Sequence, residues 1–122
     1  MSSAASDVYK RQLFHQYLKD TYDVAIPICY DNLHDVCNNT CDNDVETNMN
    51  LCLETWPEDV EPVFHWSEGK EDKMRSHRDY YTDNFFPPMA YRPIKWECEV
   101  KAKDFAICQL LEQHEAENLL VA

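Results

Sequence analysis

The chain has no long hydrophobic run. Nothing in its 122 residues approaches the roughly 18 consecutive apolar residues a membrane helix needs, and no secretory signal pattern is visible. Internal repeats, low-complexity tracts and flexible linkers are missing too, and the length suits one small domain. Positive charge is scarce: 11 Lys and Arg stand against 23 Asp and Glu, a formal charge of −12. Proteins that grip DNA usually present a basic face, because neutralising phosphates supplies much of their affinity. The acidic balance therefore points to a non-nucleic-acid ligand, to a DNA mimic, or to a chain missing its basic part. Together these absences lead us to expect a soluble, cytoplasmic-type protein with no membrane partner.

What is present argues for a folded chain. Hydrophobic residues make up 44% of the sequence, and 3 Trp, 7 Tyr and 5 Phe are too many for disorder. Charge is uneven: 8 of the 11 basic residues lie between Lys70 and Lys103, so any anion-binding surface belongs to the later half. The 6 cysteines (29, 37, 41, 52, 98 and 108) could form a disulfide framework. With no secretion signal, free thiols acting as small apolar side chains are the better reading.

Ser2 to Gln12 resembles the translation of a sequencing-library transposon adapter fused to a truncated reading frame. Residues 1–12 are therefore set aside as adapter-derived, and residues 13–122 are expected to be the C-terminal portion of a protein that extends further upstream. From Leu13 to Thr21, apolar residues at 13, 14, 17 and 18 follow a helical period, and His15 there reads as a surface residue. VAIPICY (24–30) reads as a strand covered on both faces, weakened by Pro27, which lacks a ladder N–H. DNLHDVCNNTCDN then reads as a polar loop. A helix is expected from about Asp44, capped by Asp42 or Asn43 and stopped by Pro57. The strand EPVFHWS leads into a loop with four basic residues (Lys70, Lys73, Arg75, Arg78). A turn or short helix near Thr82–Phe86 ends at Pro87-Pro88. The strand PIKWECEV (93–100) alternates Ile94, Trp96, Cys98 and Val100 with Lys95, Glu97 and Glu99. A last helix is expected from about Asp104 to Glu117.

This alternation implies an α/β fold with a parallel sheet, about three βα units of a larger structure. Three strands alone would leave unsatisfied edges. Asp31 and His34 follow the first strand, His65 and His77 end the second and enter its loop, and Glu99 ends the third. Barrels of parallel strands build their sites where strands finish. Two carboxylates and three imidazoles form a donor set suited to Zn²⁺ or Mn²⁺.

YDNLHDVCNN, PVFHWSE, RSHRDYYTD and WECEVKAKDFAICQL, taken in order and spacing, resemble the C-terminal third of the UV damage endonuclease family. These are metal-dependent repair enzymes on a TIM (β/α)8 barrel, related in fold to endonuclease IV and xylose isomerase. The resemblance runs from about Leu13 to Glu115. Its most specific parts are the S-H-x-D-Y loop (Ser76 to Tyr80) and the E-x-K-x-K ending (Glu99, Lys101, Lys103). It implies that Asp31, His34, His65, His77 and Glu99 are metal ligands, in a complete site of up to three Mn²⁺ or Zn²⁺ ions. It also implies that Lys101 and Lys103 face the phosphates of UV-damaged double-stranded DNA, and the position of the basic loop beside His77 makes Arg75 and Arg78 further phosphate candidates. The family's chemistry is hydrolysis of the phosphodiester 5′ to a photoproduct, opening excision repair, by a protein expected to be a monomer when complete.

Two departures stand out. Some members carry a modified lysine close to the metals two residues before the strand-end histidine, where this chain has Val63. The family draws two further histidines and a glutamate from earlier strands, which are absent here, so the chain alone is expected to be inactive. Competing readings are a zinc knuckle of His34, Cys37 and Cys41 with Cys29 or Cys52, an acidic non-catalytic interaction protein that mimics DNA through residues 42–61, and another endonuclease IV-like or isomerase-like barrel enzyme.

Overall fold

The computed structural model of the chain describes residues 8–38 and 44–121. Its elements are helices α1 (Val8–Tyr22), α2 (Asn32–Asn38) and α3 (Val45–Leu53), strands β1 (Val63–Ser67) and β2 (Lys95–Glu99), and helix α4 (Asp104–Val121). The two strands pair in parallel, with Phe64 opposite Trp96, His65 opposite Glu97 and Ser67 opposite Glu99. Among the described residues no helix is long and apolar enough to cross a membrane.

Period-2 alternation explains the pair. Phe64, Trp66, Trp96 and Cys98 point to one face, where an aromatic core forms. The Phe64 ring lies edge-on to Tyr30, Trp56 and Trp96 at centroid separations of 5.9, 6.2 and 5.7 Å. Met49, Cys52 and Leu53 of α3 close over it with no exposed surface. A second cluster joins Trp66 and Tyr81 to Val100, Ala106 and Leu110, so the buried stripe of α4 packs on the same side as α3. Cys52 sits in the first cluster and Cys98 packs against the second; like Cys29, Cys37 and Cys108 they are free thiols. Cys41 lies outside the described residues.

The segment 24–30, expected as a strand, forms no strand and makes no ladder. Pro27 offers no N–H, the Ile28 N–H donates to Thr55 Oγ1 at 2.8 Å, and the Ile28 carbonyl accepts from Trp56 Nε1 at 2.8 Å. Side chains of the α3–β1 connection thus take the groups a neighbouring strand would use. What remains is one parallel bridge, Asp31 to His65, with the His65 N–H donating to the Tyr30 carbonyl at 2.8 Å. Beyond it the Asn32 side chain takes over. Its amide donates to the Ser67 carbonyl at 2.7 Å and accepts from the Ser67 N–H at 2.8 Å, extending the pairing without a strand.

The expected polar loop after Tyr30 is also corrected, because residues 32–38 are helix α2. Asp31 caps it, its Oδ1 accepting from the N–H groups of Leu33 and His34, both at 3.0 Å. Asp44, rather than Asp42 or Asn43, caps α3: its carboxylate accepts from the Thr47 N–H at 2.7 Å. The helix stops at Leu53, short of Pro57. Helix α1 begins ahead of Leu13, with Val8 buried in the first cluster, while Leu13, Phe14 and Tyr17 are exposed. Residues 82–86 form a turn rather than a helix, with Asn84 in the left-handed region (φ 62°) that asparagine tolerates.

Candidate metal centre

The second face of the β1–β2 pair carries His65, Glu97 and Glu99, with Asp31 alongside β1 through its bridge. Beyond β1 the chain turns sharply. Gly69 and His77 form an antiparallel bridge, and the Lys70 N–H donates to the Ser76 carbonyl at 3.0 Å, which closes a narrow loop. The Gly69 position admits no side chain, since a Cβ there would lie 2.1 Å from the Met74 carbonyl oxygen. The loop therefore returns His77 to the end of the sheet.

Asp31, His34, His65, His77 and Glu99 line one cavity of about 470 Å³, together with Leu33, Cys37 and Arg75. Their approaches form a chain. Asp31 Oδ2 is 3.7 Å from the Nδ1 atoms of both His34 and His65, Glu99 Oε1 is 3.7 Å from His65 Nδ1, and Glu99 Oε2 is 3.5 Å from His77 Nε2. With bonds of about 2.0–2.2 Å, two ligands of one tetrahedral ion stand roughly 3.3–3.6 Å apart. The Glu99–His77 pair falls in that range and the three pairs at 3.7 Å lie just beyond it, and imidazole with carboxylate is the right donor chemistry. Among the described residues, however, no group of three or more His, Cys, Asp or Glu side chains is arranged as it stands to hold an ion.

The basic residues divide. Arg75 shares the cavity with the five. Arg78 lines a neighbouring hollow of about 430 Å³ with Lys70, Asp79 and Tyr80; its Nε donates to the Tyr80 carbonyl at 3.3 Å and lies 3.9 Å from Glu68. Lys101 is exposed beside Lys70, and contact with that second ammonium lowers its pKa from the ordinary lysine value. Lys103 is exposed in the turn before α4, in the left-handed region (φ 50°).

Two other side chains reach this face. Glu97 Oε2 lies 3.1 Å from His65 Nε2. The alternation of WECEV puts Glu97 on the same side as Glu99 but does not tell which polar side chain meets a histidine. The Cys29 thiol donates to the Val63 carbonyl at 3.1 Å, and its pKa is raised by burial and by the charges of Asp31 and Glu97. Cys52, named in the zinc-knuckle alternative, lies fully buried in the first core cluster and does not line this cavity; burial first and Asp35 second push its pKa up to about 12.

The family model of UV-endonuclease UvdE matches residues 13–120. The chain belongs to the UV-endonuclease UvdE family. It is similar to a UV DNA damage endonuclease of Bacillus velezensis, 32% identical over 97 residues, which is 73% of this chain and 30% of that protein. Its fold matches the crystal structure of SacUVDE with a TM-score of 0.68 at 18% identity, over 92% of this chain and 37% of that one. The mixed α/β architecture is thus part of a UvdE-type TIM barrel, and the chain spans about a third of the length of these relatives.

Proposed function

We propose that the chain is the C-terminal portion of a metal-dependent UV damage DNA endonuclease. The observation that carries the reading is the meeting of Asp31, His34, His65, His77 and Glu99 at one cavity, from α2 and its cap, β1, the loop beyond it and β2. Those five side chains would hold Mn²⁺ or Zn²⁺ as part of a shared cluster of up to three ions. Bound there, the ions would make hydroxide available near neutral pH and stabilise charge on the attacking and leaving oxygens of the phosphodiester. The chain's own residues do the rest. Asp31 orients His34 through the cap of α2, the Gly69–His77 bridge fixes the loop, and Arg75 offers a cation at the mouth for a DNA phosphate. Arg78, Lys101 and Lys103 would extend that contact along the backbone. The substrate on this reading is UV-damaged double-stranded DNA, nicked 5′ to the photoproduct.

The missing donors come from barrel strands outside this chain, so the chain alone is inactive. Residues 1–12 lie outside the enzyme on the same reading, in keeping with a family match that starts at Leu13. A chimera tests the proposal: residues 13–120 replace the matching part of the Bacillus velezensis relative, and nicking of UV-irradiated duplex DNA is measured with added Mn²⁺. Nicking that disappears in the His65→Ala and Glu99→Ala chimeras is the expected result. A folded chimera that leaves irradiated DNA intact, or nicks it as well without those side chains, overturns the reading.

A further inference from the structure

We infer that Glu97 is a positioning residue for His65, holding the Nε2 edge of the imidazole so that Nδ1 is the nitrogen offered to the cavity. The inference rests on the metal-centre reading for its purpose, though the contact itself does not. His65 and Glu97 are direct partners in the parallel register, on the face that also carries Glu99. The approach of Glu97 Oε2 to His65 Nε2, at 3.1 Å, is shorter than the other imidazole–carboxylate approaches described around the cavity, which lie at 3.5 to 3.7 Å. The two nitrogens of His65 face different surroundings. Nδ1 looks toward Asp31 and Glu99, both lining the cavity, whereas Glu97 is not among the residues lining it and stands on the ring's other side.

An ionised carboxylate can only accept, so the nitrogen that bonds to Glu97 must carry the ring proton. The neutral ring then keeps its lone pair on Nδ1, aimed where a metal would sit. Metal-binding histidines characteristically give their second N–H to such a partner, and losing that partner weakens metal affinity by about 10- to 100-fold. Glu97 thus acts through His65 and does not itself need to touch the ion. Its side chain is 57% exposed, so replacing it leaves the aromatic core on the opposite face in place.

The test uses the full chain as wild type, Glu97→Ala, Glu97→Gln, Glu97→Asp and His65→Ala, with two readouts. Zinc titration gives affinity, and nitrogen-edited NMR in metal-free solution at about pH 8, above an ordinary histidine pKa of about 6.5, observes the His65 Nε2 proton. The expected result is a hydrogen-bonded Nε2 proton in wild type that is lost in Glu97→Ala. Zinc affinity should fall by about 10- to 100-fold in that variant, less in Glu97→Gln, with partial recovery in Glu97→Asp. Should Glu97→Ala not fold, Glu97→Gln carries the comparison. If the Glu97 variants bind zinc like wild type while His65→Ala does not, the inference is overturned and the metal centre stands. If His65→Ala binds zinc no more weakly than wild type, the metal-centre reading fails, and the NMR signal alone decides Glu97: its loss in Glu97→Ala upholds the contact, and its absence from wild type refutes it.

Discussion

The two faces of the β1–β2 pair are built from alternate residues of the same ten positions, yet they do opposite things. Phe64 is fully buried among three aromatic rings, while its neighbour His65 keeps 32% of its side chain exposed among carboxylates. Trp96 and Cys98 pack against the cores, whereas Glu97 and Glu99 project from the other side. One face holds the chain together and the other gathers acceptor and donor groups that contribute little to packing. Stability and site chemistry should therefore come apart under mutation at adjacent positions.

The strongest way to break the comparison is to cross from one face to the other. Phe64→Ala should cost about 3–5 kcal/mol, a large share of the roughly 5–15 kcal/mol available to a small domain, and lower the urea midpoint accordingly. His65→Ala, one residue away, should change stability by no more than about 1 kcal/mol while removing a candidate ligand. Equal losses in urea would refute the division. Next in size is Asn32, whose amide satisfies both backbone groups of the buried Ser67. Asn32→Ala should cost about 1–3 kcal/mol for each group left unpaired, and hydrogen exchange at the Ser67 amide should accelerate.

Thiol chemistry sharpens the contrast at lower cost. Cys52 has no exposed surface and a pKa pushed up to about 12, whereas Cys108 is exposed on α4. Iodoacetamide at about pH 8, near the ordinary thiol pKa of roughly 8.5, should label Cys108 and leave Cys52 unmodified until the chain unfolds; peptide mass mapping reads the outcome.

The smallest effect belongs to Asp44. Bonding from the Thr47 side chain and N–H lowers its pKa from an ordinary value of 3.8. A depressed carboxylate stabilises the fold above its unfolded pKa and loses that contribution as pH falls through the folded value. Wild type should thus exceed Asp44→Asn slightly in Tm at neutral pH, and the gap should close below about pH 3.8. A gap that persists in acid would show that the charge is irrelevant to the cap.

The strands were legible because alternation in VFHWS and KWECE leaves one face apolar, and that same pattern sets the register of the site. Helix α2 was not, because its polar residues look like solvent-facing loop. Asn32 and Asp35 are in fact buried, Asn32 bonded to Ser67 and Asp35 to the Tyr30 hydroxyl and the Asn48 amide at 2.7 to 3.0 Å. Partners 13 and 35 residues away cannot be read from local composition. The stretch 24–30 misled in the opposite direction, since its apolar β-branched residues suggested a ladder whose bonds Thr55 and Trp56 take instead. Of the site, the five candidate ligands followed from strand ends and family resemblance. Glu97 did not, because alternation places Lys95, Glu97 and Glu99 alike on the polar side and cannot say which one meets a histidine.

The most direct test of the account is to follow the chain's 5 histidines by NMR while Mn²⁺ is added in substoichiometric steps. The account predicts that His34, His65 and His77 broaden together at the lowest additions, while His15, hydrogen-bonded to the Ile26 carbonyl, and His114, beside Phe86, stay sharp. Uniform broadening of all five, or none at any addition that leaves the chain folded, would contradict a metal centre on this face.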